Sequence, residues 1–168
     1  QTELELALAW SVRVNETVSE IVKGLGPFPK VRESLEKMQQ AADIIVVSGT
    51  PNEALEREWE EHDLSKYAAV IAGQEMGGKA RHLEYAAAGR YEKDHVLVIG
   101  DAPGDMQAAK ANDALFYPIN PGDEIRSWER FHDEAFEKFV NGRYAGAYEQ
   151  DRIAEFASYL PELPPWER

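Results

Sequence analysis

The chain has 168 residues and 43% hydrophobic content, enough for one domain with a packed core and too apolar for a disordered tail. Its 31 acidic residues outnumber 18 basic ones, a net charge of −13 that argues against nucleic acid or an anionic membrane as partner. There is no Cys, so disulfides and thiolate metal sites are excluded. No apolar run approaches the ~20 residues of a membrane span and no signal peptide is visible, so the expected location is cytoplasmic.

Residues 3–24 read as a helix, with Val14, Val18, Ile21 and Leu25 at spacings of three and four. Gly24, Gly26 and Pro27 end it. The sequence enters this pattern directly from Gln1 and reads as the interior of a longer protein. Pro29 sits at the start of a second helix with Val31, Leu35 and Met38 on its inner face. "IIVV" is a short β-branched run of the kind found in a strand covered on both faces, and it ends at Ser48, Gly49 and Thr50. In "TPNE", Thr50 and Glu53 form a predicted capping box ahead of a helix over 51–61.

A second strand is predicted near 67–72, followed by the loop "GQEMGGK" and a helix over 79–88. A third strand at 96–99 runs into "GDAPGD", where Pro103 opens a helix over 103–111. "ALFYP", near 114–118, is a last short strand. Trp128, Phe131, Ala135 and Phe139, then Ile153, Phe156 and Leu160, mark two C-terminal helices before an extended tail, "PELPPWER". The alternation predicts an α/β fold, a Rossmann-like parallel sheet with right-handed crossovers.

Ligands of open parallel sheets gather at the carboxyl ends of the strands. Ser48 and Thr50 follow the first strand, Lys79 follows the second at a helix start, and Asp101 and Asp105 follow the third. A hydroxyl, an ammonium and paired carboxylates around one crevice suit a phosphoryl group held with Mg²⁺. The hydroxyl donates to a phosphate oxygen, the ammonium offsets its charge, and the carboxylates supply hard oxygen ligands. Gly100 and Gly104 are expected to let the backbone turn and approach the ion. His62, His82, His95 and His132 show no metal-ligand spacing and read as ordinary histidines.

"IIVVSGT", "GGK" and "VLVIGDAPGD", in that order, resemble the second, third and fourth motifs of the haloacid dehalogenase-like hydrolases. The resemblance covers roughly residues 27–122. It divides the chain into a helical cap remnant or linker over 1–26 and an α/β core with C-terminal helices over 27–168. It implies that Ser48, with Gly49 and Thr50, binds the transferring phosphoryl group. It implies that Lys79 stabilises that group and the nucleophile, and that Asp101 and Asp105 ligate Mg²⁺ or orient its waters. Ala80 stands where the family often has Pro after its Lys.

The family's first motif, Asp-x-Asp at the end of a central strand, occurs nowhere in these 168 residues. The resemblance therefore predicts a sheet with a gap between the strands ending at Ser48 and Asp101. The nucleophile is expected on a missing N-terminal segment, or the sheet is rebuilt with a second copy. The expected function is part of a phosphatase acting on a small phosphorylated metabolite. The alternative is a non-catalytic metal- or phosphate-binding domain of the same descent. A phosphoacceptor receiver would place its acids first and its Lys last, the reverse of the order here.

Overall fold

Apolar runs become short strands and the amphipathic stretches between them become helices, in the predicted order. The computed structural model describes residues 2–21 and 24–160, without the side chains of 18–20. The tail predicted over 161–168, and the side chain of Val18, lie outside the described residues. Helices α1 (Glu3–Ile21) and α2 (Val31–Met38) precede strand β1 (Ile45–Val47). Helix α3 (Asn52–Glu61) leads to β2 (Val70–Ala72), α4 (Lys79–Ala87) to β3 (Leu97–Gly100), and α5 (Pro103–Ala111) to β4 (Leu115–Pro118). Helices α6 (Glu124–Arg130), α7 (Phe136–Val140) and α8 (Ala147–Tyr159) complete the chain.

The strands form two parallel pairs. In one, Ile45 stands opposite Val70 and Val47 opposite Ala72. In the other, Leu97 stands opposite Leu115 and Gly100 opposite Pro118. Among the described residues no ladder joins β1 to β3, so the sheet divides where the central strand was expected to be absent. Side chains tie like end to like end. Ahead of the strands the Tyr91 hydroxyl donates to the Asp43 carboxylate. Beyond them Lys79 Nζ donates to Asp105 Oδ1. Lys37, on α2, donates to the His132 carbonyl at 2.9 Å and pairs with Glu137 at 2.9 Å.

The main core gathers Tyr117, Ile119, Phe131, Ala135, Phe136 and Tyr144, with Leu97 and Ile99 packed against it. A π-helical turn, Phe131–Ala135, widens the helix between α6 and α7. Phe131 and Ala135, which share a face by the three-and-four spacing, are buried there, and Phe136, which that spacing did not foretell, joins them. Leu35, Ile44, Leu64 and Tyr67 form a second cluster, and Met38 packs against both. The outer edge of β4 is sealed. The Phe116 N–H donates to Glu149 Oε1 at 2.8 Å and the Tyr144 hydroxyl donates to the Phe116 carbonyl at 2.7 Å. Pro118, next on that edge, has no N–H to offer.

Helix α1 forms, and of its apolar stripe Val14 is half-buried while Ile21 is uncovered. Ile21 is 75% exposed, Leu25 just beyond it 68%, and none of the described α1 side chains joins a core cluster. Periodicity shows that a face exists and not what covers it. Among the described residues no helix is long and apolar enough to cross a membrane.

Candidate active site

The end of β1 is fixed by its own hydroxyls. The Ser48 N–H continues the ladder by donating to the Ala72 carbonyl at 3.0 Å. Ser48 Oγ accepts the Thr50 N–H at 3.1 Å and donates to Thr50 Oγ1 at 3.1 Å. Thr50 is therefore engaged with Ser48 and does not cap α3. The residue at that position is Pro51, with no side-chain cap, and the predicted box with Glu53 does not form.

The cap comes from far along the chain. Glu75 Oε2 accepts the Asn52 N–H at 2.8 Å, and this bond holds the Glu75 carboxyl below its ordinary range. Asn52 Oδ1 accepts the Gly73 N–H at 2.9 Å, and the Gln74 N–H donates to the Thr50 carbonyl at 3.0 Å. The loop after β2 is thus locked to the loop after β1. Gly73 is required for this approach, since a Cβ there would lie 2.6 Å from the Asn52 backbone. A Cβ at Gly49 would meet nothing within 4 Å.

Lys79 opens α4 with its ammonium 2.5 Å from Asp105 Oδ1. Asp105 is only 6% exposed, and its Oδ2 accepts the Ala102 N–H at 3.2 Å, bracing the start of α5. Gly100 makes room for this side chain. A Cβ there would stand 2.4 Å from Asp105 Cβ and 2.5 Å from its Oδ2. A Cβ at Gly104 would meet nothing within 4 Å, so no protein atom demands glycine there. Asp101 is exposed at the end of β3, and no hydrogen bond or ion pair among the described residues engages it.

The structure therefore joins Lys79 to Asp105 and Ser48 to Thr50, and links Thr50 to the Lys79 loop through Gln74. No direct bond joins Ser48 to Lys79 among the described residues. The assembly offers a hydroxyl, an ammonium, one buried carboxylate and one open carboxylate. That donor set fits Mg²⁺, which takes one or two carboxylates and keeps several waters. Among the described residues, three metal-capable groups converge only at Glu92, Asp94 and His95, exposed side chains ahead of β3 on the opposite rim.

The sequence pattern gave no reason to single out His82, which is 7% exposed one turn after Lys79. Neither ring nitrogen has a hydrogen-bond partner among the described residues. Nε2 would lie 3.7 Å from a Cβ placed at Gly77, so the ring stands against the glycine loop.

Strand-end placement, the locked loops and the Lys–Asp pair agree with the comparison against protein families. The model described as haloacid dehalogenase-like hydrolase matches residues 3–117, and the chain belongs to that family. The match takes in α1, strands β1 to β3 and all of β4 but Pro118. No curated protein and no solved structure gave a match.

Proposed function

We propose that this chain is a portion of a Mg²⁺-dependent phosphatase acting on a small phosphorylated metabolite. It works through an aspartyl-phosphate whose Asp stands on a segment outside these residues. The observation that carries the reading is the Lys79–Asp105 pair bridging the loops after β2 and β3, in the space that Gly100 leaves open. Ser48 donates its Oγ–H to a phosphoryl oxygen, and the Ser48–Thr50 bonds fix that hydroxyl in advance. Lys79 places its ammonium against the phosphoryl charge. Asp101 and Asp105 hold Mg²⁺, which when bound neutralises charge building on the phosphoryl oxygens.

The chemistry balances in two steps. The attacking carboxylate oxygen forms a bond to phosphorus as the ester P–O bond breaks and the leaving alcohol takes up a proton. Water then cleaves the acyl phosphate, releasing inorganic phosphate and restoring the carboxylate. The test is p-nitrophenyl phosphate with Mg²⁺, using the protein made from the intact gene. Release of p-nitrophenolate is expected to require the metal and to fall about 10–100-fold in D101N. A folded protein with no turnover overturns the reading.

The lack of Asp-x-Asp in these residues favours a second reading, a non-catalytic domain that binds metal or phosphate. In that case the same protein binds Mg²⁺ or phosphate at this rim and never turns over an ester.

A further inference from the structure

The loops after β1 and β2 exchange three hydrogen bonds beside the candidate site. The Gln74 N–H donates to the Thr50 carbonyl at 3.0 Å, the Gly73 N–H to Asn52 Oδ1 at 2.9 Å, and the Asn52 N–H to Glu75 Oε2 at 2.8 Å. The last two are reciprocal, since each loop gives a side-chain acceptor to the other's backbone. The Asn52 amide serves in one orientation only. Its Nδ2 donates to Glu56 Oε1 at 2.6 Å, one turn along α3, which leaves Oδ1 for Gly73. Glu75 is an exposed carboxylate set against the first turn of α3, where the N-cap, Pro51, has no side-chain bond and unpaired N–H groups favour an anion.

Ser48 and Lys79 stand on opposite sides of this exchange. On one side, the Ser48 hydroxyl is oriented by the Thr50 N–H and Oγ1, and the Thr50 carbonyl is held by Gln74. On the other, Glu75 is the middle residue of a 3₁₀ turn, Gln74–Met76, and only Gly77 and Gly78 separate that turn from Lys79. Gly77 has φ 120° and ψ −164°, a conformation open essentially to glycine alone. Two glycines make a pliant linker. The entry to α4 is therefore fixed by the turn before them and by the Lys79–Asp105 contact after them.

We propose that Glu75 and Asn52 are positioning residues that hold Ser48 and Lys79 at one spacing, so that a hydroxyl and an ammonium from two strand ends meet the same phosphoryl group. Neither side chain touches that group. Glu75 acts through the Asn52 backbone and the Thr50 turn on Ser48, and through the glycine linker on Lys79. Asn52 acts on the same turn from the other loop. The identity of the group being bound rests on the phosphatase reading, whereas the coupling of the two loops stands on the hydrogen bonds. A displacement of about 1 Å between reacting groups costs up to about 100-fold in rate.

The test is p-nitrophenyl phosphate kinetics with Mg²⁺ on the protein from the intact gene, with calorimetric titration of tungstate on the same samples. Glu75→Ala and Asn52→Ala are each expected to lower kcat/KM about tenfold. Glu75→Gln, which keeps an acceptor in place, recovers a good part of that loss. In a Ser48→Ala background, where one member of the spaced pair is gone, Glu75→Ala costs about twofold or less. A merely structural effect would cost the same in both backgrounds. Equal losses in the two backgrounds, full activity in either alanine variant, or no recovery in Glu75→Gln overturns the proposal. If the unaltered protein turns over no ester, the phosphatase reading falls and the positioning is read from tungstate affinity. The same pattern there keeps it, and tungstate binding unchanged by Glu75→Ala, or absent from the unaltered protein, overturns it.

Discussion

Lys79 and Asp105 are 26 residues apart in the chain and 2.5 Å apart in space, and their contact joins the β1–β2 pair to the β3–β4 pair. The pair is asymmetric. The Asp105 side chain is 8% exposed and that of Lys79 is 38% exposed, so the ammonium reaches solvent while the carboxylate does not. Lys79→Met leaves Asp105 with the Ala102 N–H as its remaining partner. The expected loss is about 1–3 kcal/mol, the cost of a buried acceptor stripped of a charged donor. Lys93→Met breaks a pair with Asp113 in which both side chains are largely exposed, and is expected to change stability by less than about 1 kcal/mol. Urea denaturation of both variants checks the contrast.

Gly100 and Gly104 flank the same acidic loop but carry different constraints. Gly100→Ala drives a methyl into the Asp105 side chain and is expected to cost about 1–3 kcal/mol. Gly104→Ala meets open space inside α5 and is expected to be neutral or to stabilise by up to about 1 kcal/mol. Thermal melting separates them, since 1 kcal/mol moves a midpoint by about 2–4 °C in a protein near this size.

The sealed edge of β4 gives a third expectation. Tyr144 is 1% exposed, and burial pushes its hydroxyl well above the ordinary range, so it stays a donor at any working pH. Tyr144→Phe strands the Phe116 carbonyl and is expected to cost about 1–3 kcal/mol. Exchange at the Phe116 amide, held by Glu149, reports whether the edge has opened.

Acid should unlock the contact between α6 and α8. Arg130 donates to both oxygens of Glu155, at 2.5 and 2.9 Å, and Arg152 adds a contact at 2.9 Å. The Arg130 bonds hold the Glu155 carboxyl below its ordinary 4.5. A depressed carboxyl stabilises the fold fully above its unfolded value, and the contribution disappears as pH falls through the folded value. Stability should therefore lack a Glu155 component of pH dependence between pH 7 and 5, and fall below about 4.5. In E155Q the acid-side slope is shallower, as read from urea midpoints at each pH.

Much of this was legible from the chain. Helix α5 begins at Pro103 and ends at Ala111 as predicted, because a proline-opened helix after a β-branched run is a local signal. The division of the sheet followed from a missing motif. What was not legible is set by partners distant in sequence. Thr50 and Glu53 have the spacing of a capping box, but Glu75 takes the Asn52 N–H and Ser48 takes Thr50. The sealing of β4 depends on Tyr144 and Glu149, about thirty residues on, which no periodicity announces. His82 read as an ordinary surface or core histidine, and only packing showed it buried beside the glycine loop.

The central claim is that Ser48, Lys79, Asp101 and Asp105 serve a single metal and anion at one rim of the divided sheet. The most direct measurement is a crystal structure of the protein soaked with Mn²⁺, a visible stand-in for Mg²⁺, and tungstate, a stand-in for phosphate. The account predicts Mn²⁺ against the Asp101 carboxylate, with tungstate within hydrogen-bond reach of Ser48 Oγ and Lys79 Nζ. Metal seated instead at Glu92, Asp94 and His95, or tungstate away from Lys79, contradicts it.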